Sequence, residues 1–269
     1  MYHFKLLTID DISPRTLVLS LLNSIDTDTQ TIGELVQAAK AFDIDATALR
    51  VAVTRLVKDG YLENPERGVY SGGQKAEPLT RQIRNWQTAP DVMINWDGGW
   101  LIHLTHHLGR TNRKQLRQHD RAFSMFGYRE AETGLWVRPA NLATPLDQHR
   151  LRLTDLGADA GMISFRTDKP LLPAAQDWAA LWDVDALKAC YREAISVMDA
   201  SLDGLSALSV QDKARETFLV GQSVIRAINL DPLLPSELGD QTGFRQMVQK
   251  MRAYNKKGRA AWRSFQSNA

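Results

Sequence analysis

Cysteine is almost absent. Cys190 is the only one among 269 residues, so no disulfide can close within the chain, and the expectation is a reducing compartment. Long apolar runs are also missing; none is long enough to span a bilayer. The first eleven residues carry Asp10 and Asp11 where a secretory leader would have basic residues and an apolar stretch. These features point to a soluble, cytoplasmic protein with no membrane partner. An excess of either charge is lacking too. Lys and Arg total 33 against 31 Asp and Glu, a net charge of +2, so bulk charge does not mark a nucleic-acid binder and any basic surface must be local. Within the first 75 residues the acids outnumber the bases. Low-complexity segments and internal repeats are absent. With 43% apolar and 24% charged residues the composition is that of a folded chain, and the length suits two or three domains.

Residues 14 to 71 read as three helices followed by a hairpin. The first helix runs from Pro14 to Asn23 with proline in its opening turn, and Leu17, Val18, Leu21 and Leu22 recur at helical spacing. Thr31-Ile32-Gly33-Glu34 is a capping-box pattern opening the second. Asp45 is a good cap for the third, which runs to Lys58 and ends before Gly60. Tyr61-Leu62-Glu63 and Val69-Tyr70-Ser71 flank a turn at residues 64 to 68. A linker or short helix follows. Strands at Trp100–Thr105, near Tyr128, at Leu135–Val137 and at Gly161–Phe165 alternate with helices at Asn112–Met125 and Pro145–Leu156. That is the β-α-β-β-α-β order of the ferredoxin-like plan. From Ala174 onward the pattern is helical, over Asp177–Asp199, Ser209–Leu230 and Gly243–Phe265. The expected architecture is α+β. A winged helix-turn-helix domain covers 1–75, a linker 76–91, a ferredoxin-like domain 92–172 and a helical domain 173–269.

The third helix carries the sharpest chemical signal. Leu49, Val53, Leu56 and Val57 fall on one face, while Thr47, Arg50, Val51, Thr54, Arg55 and Lys58 fall on the other. A helix in the major groove needs that division: one side anchors to its domain, the other offers donors to base edges and phosphates. Arg50 and Thr54 are four apart and reach the same groove floor, and the Val51 methyls suit a thymine methyl. Lys58 and Arg67 are placed for phosphates. A face with three cations is also the ordinary solvated side of an amphipathic helix, and winged helices also bind proteins.

Four segments carry a resemblance. They are Pro14-Arg15-Thr16-Leu17, then the run from Leu49 to Leu62, then Trp96-Asp97-Gly98-Gly99-Trp100 with Gly134-Leu135-Trp136-Val137-Arg138-Pro139, and finally Asp231-Pro232-Leu233-Leu234-Pro235-Ser236-Glu237-Leu238. In this order they resemble the PaaX family, repressors of phenylacetic acid catabolism. The resemblance implies a repressor that binds a palindromic operator in double-stranded DNA as a homodimer. It also implies release by a small effector such as an aryl-acyl-coenzyme A; separately, the residues offer no Ser-His-Asp, Cys-His or paired-carboxylate arrangement, so neither an enzyme nor a cofactor is expected. The turn at Glu66-Arg67-Gly68 departs from the pattern, with one arginine where the family tends to carry several.

Other constellations leave alternatives open. Arg110, Arg113, Lys114, Arg117 and Arg121 form a basic stripe on the helix from Asn112. It would suit effector phosphates, DNA or plain solvent. Trp136, Trp178 and Trp182 are candidate walls of an effector pocket, although tryptophans also build cores. His103, His106 and His107 invite a metal reading, but their spacing matches no zinc signature. Asp97 invites a nuclease reading, but one carboxylate without a partner is a poor metal site. The chain after Asp240 has no acid and carries Arg245, Lys250, Arg252, Lys256, Lys257, Arg259 and Arg263, its largest local imbalance. The competing classes are a winged-helix scaffold for proteins and a nuclease-like enzyme on the ferredoxin-like domain.

Overall fold

A computed structural model describes residues 2–24, 29–109, 112–168, 170 and 177–267. Its contacts divide the chain into two compact units. One contains Phe4–Trp86, Glu193–Arg226 and Met247–Ala269; the other contains Met1–His3, Gln87–Arg192 and Ala227–Gln246. The fold is mixed α and β with a helical C-terminal region.

The first unit begins with α1 (Pro14–Ser24), whose opening turn is tied by Ser13 Oγ accepting from the Thr16 amide at 3.1 Å. Strand β1 (Thr29–Thr31) runs straight into α2 (Ile32–Lys40). Here the capping box forms as read: Thr31 Oγ1 accepts from the Glu34 amide, and Glu34 accepts from the Thr31 amide at 2.7 Å. Helix α3 (Ala46–Lys58) is capped by Asp45, which accepts from the Thr47 and Ala48 amides at 2.9 Å. It ends before Gly60, whose φ of +76° is the left-handed conformation that glycine adopts without strain. Strands β2 (Leu62–Glu66) and β3 (Val69–Gly72) form an antiparallel hairpin. The loop is tighter than the sequence suggests. The strand continues through Pro65 because the register shifts between Glu63 and Glu66, which lets a residue without an amide donor sit at the bulge. Strand β1 adds to the hairpin beside β3, giving the order β1-β3-β2. Helix α4 (Glu77–Arg84) and a 3-10 turn (Asn85–Val92) occupy the stretch read as a linker or short helix.

Leu17, Val18, Leu21, Leu35, Ala38, Leu49, Val53 and Leu56 make one core, each at most 2% exposed. Burying a leucine this completely contributes about 1.5–3 kcal/mol, so the inner face of α3 is firmly held. Ala214, Phe218, Trp262 and Phe265 join the same core from the C-terminal helices. Arg215 donates through Nε to the Ala41 carbonyl at the end of α2, and through Nη2 to Asp43 at 3.1 Å.

The second unit is built on a four-stranded antiparallel sheet. Its strands are β4 (Trp100–Leu104), β5 (Arg129–Glu132), β6 (Leu135–Pro139) and β7 (Ile163–Thr167), in the order β5-β6-β4-β7. Helix α5 (Arg113–Met125) lies between β4 and β5 in sequence, and α6 (Leu146–Asp155) between β6 and β7. The register pairs Leu101 with Arg138 and His103 with Trp136. These four therefore share one face, and Leu101 and Trp136 pack there against Phe123 of α5 and Leu153 of α6. Trp100, Ile102 and Val137 take the opposite face.

Arg138 is 1% exposed and lies 5.6 Å over the Tyr128 ring. It donates to Phe126 O at 2.5 Å, Pro139 O at 3.2 Å, Asn141 Oδ1 at 3.4 Å and Pro232 O at 3.3 Å. Asn141 donates to Leu233 O at 2.8 Å. These bonds dock the Asp231-Pro232-Leu233-Leu234-Pro235 segment onto the sheet. Asp231 accepts from the Tyr191 hydroxyl at 2.6 Å and the Leu233 amide at 2.8 Å.

Three long helices complete the chain: α7 (Val184–Gly204), α8 (Val210–Asn229) and α9 (Gln241–Ser267). The first starts later than its sequence pattern suggests. Asp177 caps a separate 3-10 turn, Trp178–Leu181, and Asp183 accepts from the Ala186 amide to open α7. Two capping carboxylates six residues apart divide one apolar pattern into two elements.

Candidate nucleic-acid interface

Thr47, Arg50, Val51, Thr54, Arg55 and Lys58 are all exposed, and Val51 keeps 44% of its surface in water. The turns of α3 place these six along one side, opposite buried Leu49, Val53 and Leu56. Val51 is one of several large apolar side chains left in water among the described residues, and it stands between Arg50 and Thr54 on the outer side of the helix. The Thr54 hydroxyl donates to the Arg50 carbonyl at 2.9 Å, so its methyl and its acceptor lone pair remain to face outward. Arg67 is exposed at the hairpin tip, where Gly68 takes φ +78°, and the hairpin is closed by Asn64 donating to the Val69 carbonyl at 2.7 Å.

Two further cations stand at the C-terminal end of α3, and the sequence reading missed both. Arg15 lies 4.5 Å above the Tyr61 ring and Lys75 lies 5.2 Å from it. Lys75 also donates to the Asp59 carbonyl at 3.2 Å. They are separated by sixty residues, and only the packing on Tyr61 joins them, so no local pattern announces the pair.

The remaining candidates lie in the second unit and do not form one site. Arg113, Lys114 and Arg117 are exposed along α5, opposite buried His119, Ala122 and Phe123; Arg110 lies outside the described residues. Trp136 stacks on Phe123 with ring centroids 4.6 Å apart. Trp178 and Trp182 instead pack on Trp100, at 5.4 and 6.1 Å, and so on the opposite face of the sheet from Trp136.

His103 is fully buried, with its ring nitrogens 2.7 Å from Ser164 Oγ and 3.0 Å from the Tyr128 hydroxyl. His106 and His107 are exposed in the loop that follows. Among the described residues no cluster of His, Cys, Asp or Glu is arranged to hold a metal ion. Asp97 accepts from Arg166 at 2.5 Å and from the Gly99 amide at 3.0 Å, and the guanidinium holds its carboxyl below the usual range. Trp96 donates to Gly99 O at 2.6 Å and meets Trp100 edge-on. Residues 96–100 thus form a turn between packing aromatics, with its acid ion-paired to Arg166, which also binds Asp168 at 2.9 Å.

The buried histidines make the second unit acid-sensitive. Burial pushes His103 down to about 3 and His149 down to about 2, and both His149 ring nitrogens lack a partner among the described residues. A base with a depressed folded-state pKa contributes stability that is fully present above about 6.5 and is lost as pH falls. Each histidine removes about 1 kcal/mol per pH unit in that window. Burial raises Asp231 to about 6. This acts oppositely and cancels one histidine between roughly pH 6 and 4. Urea unfolding read on the second unit should therefore weaken by about 1 kcal/mol per unit from pH 6 to 4, and His149→Leu should flatten that slope. An unchanged slope in the variant would contradict the burial of a neutral His149.

Residues 13–73 match the family model described as PaaX-like protein. This stretch is similar to the PaaX-like family. The match covers α1 to β3, including every exposed position named on α3 and the Arg67 hairpin, and the family is one of transcriptional regulators of phenylacetic acid catabolism. No curated protein matches the chain. Among solved structures, the uncharacterized protein Rv0674 from Mycobacterium tuberculosis is similar at 21% identity, over 94% of this chain and 99% of that one, with a TM-score of 0.62. That likeness concerns the fold alone. No described helix is long and apolar enough to cross a membrane.

Proposed function

We propose that the protein is a DNA-binding transcriptional regulator in which α1–α3 and the β2–β3 hairpin act as a winged helix-turn-helix. Helix α3 enters the major groove. Arg50 and Thr54 face base edges, Val51 meets a thymine methyl, and Arg55 and Lys58 engage phosphates. Arg67 reaches the backbone from the wing. The observation that carries this reading is the exposed row on α3, with an uncovered Val51 among its cations, inside the stretch that matches a regulator family.

The finer features of the reading follow from what a regulator needs. A single small domain reads few base pairs, so the protein binds a palindromic operator as a homodimer. It represses a catabolic operon in the cytoplasm and leaves the DNA when a small effector favours another conformation. The β-α-β-β-α-β order and antiparallel sheet of the second unit support a ferredoxin-like body. The Asp97–Arg166 ion pair weighs against an enzyme built on that sheet.

Lys58→Ala distinguishes a phosphate contact from a base contact. The variant should bind operator and unrelated DNA more weakly by a similar factor, and the slope of log affinity against log salt should fall by about one. A loss confined to the operator, with an unchanged salt slope, would remove Lys58 from the phosphates.

A further inference from the structure

Helix α5 turns His119, Ala122 and Phe123 inward, toward the sheet. Its outward side carries Arg113, Lys114, Arg117 and Arg121, all exposed. Arg113, Arg117 and Arg121 recur every four residues and so lie in one row along the helix. None of the four cations makes a hydrogen bond or an ion pair among the described residues. Asp120 is the one acid of the helix, and it pairs with none of them. Asp159, beyond α6, accepts from Gln115 at 3.2 Å instead.

Three other helices treat their cations differently. Arg81 pairs with Glu77 in α4, Lys188 with Asp185 in α7 and Arg215 with Asp212 in α8, each three or four residues apart. A row that met only solvent would gain from the same arrangement. On α5 like charges stand at four-residue steps instead, which disfavours the helix. Arg113 and Lys114 also occupy its first turn, where the peptide dipoles favour an acid. Asn112 already caps that end, accepting from the Lys114 and Gln115 amides at 3.1 and 3.2 Å. The side chains, and not the helix end, therefore offer the charge. Their placement costs stability that an anionic partner would return.

We infer that this face of α5 is a second DNA contact, which holds the phosphate backbone of a duplex and reads no sequence. From Arg113 to Arg121 the row covers about 12 Å, and one DNA strand presents a phosphate about every 3.4 Å of its axis. The row therefore spans a few successive phosphates. An arginine binds a phosphate through paired charge-assisted bonds. No large apolar side chain of α5 is exposed, so the face lacks the apolar centre of a protein interface. The contact lies in the second unit, outside residues 13–73, and goes beyond recognition by α3. It rests on the regulator reading for the choice of DNA as the polyanion.

The test is fluorescence anisotropy of the full chain on its own upstream DNA and on scrambled DNA of the same length, over a salt series. A variant with Arg113→Gln, Arg117→Gln and Arg121→Gln should bind both duplexes roughly tenfold or more weakly at low salt, by a similar factor on each. The slope of log affinity against log salt should fall by about two to three. Arg117→Gln alone should lower it by about one. The melting temperature should not fall, because the positions are exposed and the change relieves repulsion. The control is Arg245→Gln, Lys256→Gln and Lys257→Gln in α9, which also removes three exposed cations and should leave the slope unchanged. No change in the α5 variants, a loss confined to the upstream DNA, or an equal loss in the α9 control would each overturn the proposal. A preference for upstream DNA that Arg50→Glu removes, beside an α5 variant that binds like the parent, would refute this contact alone. Equal binding of both duplexes that weakens in the α5 variant would refute the regulator reading and leave the contact intact.

Discussion

Arg50→Glu is expected to reduce operator affinity by roughly 100-fold while leaving the melting temperature unchanged. Arg50 is exposed on the outer side of α3, and the core behind that helix rests on Leu49, Val53 and Leu56. The substitution therefore acts on the partner and spares the fold. A well-placed arginine contributes about 1–3 kcal/mol by donating two bonds to a guanine. A carboxylate at the same place loses that and adds repulsion from the phosphates. Binding to unrelated DNA should fall much less, because that affinity comes from several cations together. Fluorescence anisotropy on both DNAs, with a melting curve of the variant, gives the comparison. Equal losses on both would make Arg50 a phosphate contact, and no loss would take it off the interface.

Gly127→Ala should destabilise the second unit by about 3 kcal/mol or more, combining backbone strain with overpacking. Gly127 has φ +73°, and a Cβ there would stand 2.7 Å from the backbone Cα and oxygen of Pro232. Neither atom can move freely, because Arg138 and Asn141 hold the Pro232 and Leu233 carbonyls. The melting temperature of that unit should fall by roughly 6–12 °C. Gly98→Ala is the control. Its φ of +87° carries the same kind of strain, but nothing lies within 4 Å of the added carbon, so it should lose only about 1 kcal/mol. Equal effects of the two would mean that the loop after Asp231 does not press on Gly127.

What was legible in the sequence was local. Pro14, the Thr31–Glu34 box, Asp45 and Gly60 delimit three helices because each acts on backbone groups within a few residues, and the spacing of Leu49, Val53 and Leu56 identifies the buried side of α3. What failed depends on partners far along the chain. Strand β1 is three residues long, has no alternating pattern, and exists by pairing with β3 forty residues later. Trp178 and Trp182 read as one face of a helix; Trp178 instead opens a short 3-10 turn that Trp182 follows, and Trp100 brings them together. His103 reads as a ligand candidate until Ser164 and Tyr128, from other strands and loops, enclose it. The part of the first core built by the C-terminal helices was the least visible, because Leu21, Phe218 and Trp262 come from three distant stretches and meet only in the folded chain.

Helix α3 is expected to recognise a specific DNA sequence. The most direct test of this is fluorescence anisotropy of the purified full chain on its own upstream DNA, against scrambled DNA of the same length and composition, across a salt series. Tight binding to the upstream DNA alone, with a preference for it that survives at high salt and disappears in Arg50→Glu, is the predicted result. Weak and equal binding to both DNAs, falling together as salt rises, would contradict it, because only phosphates would then be felt.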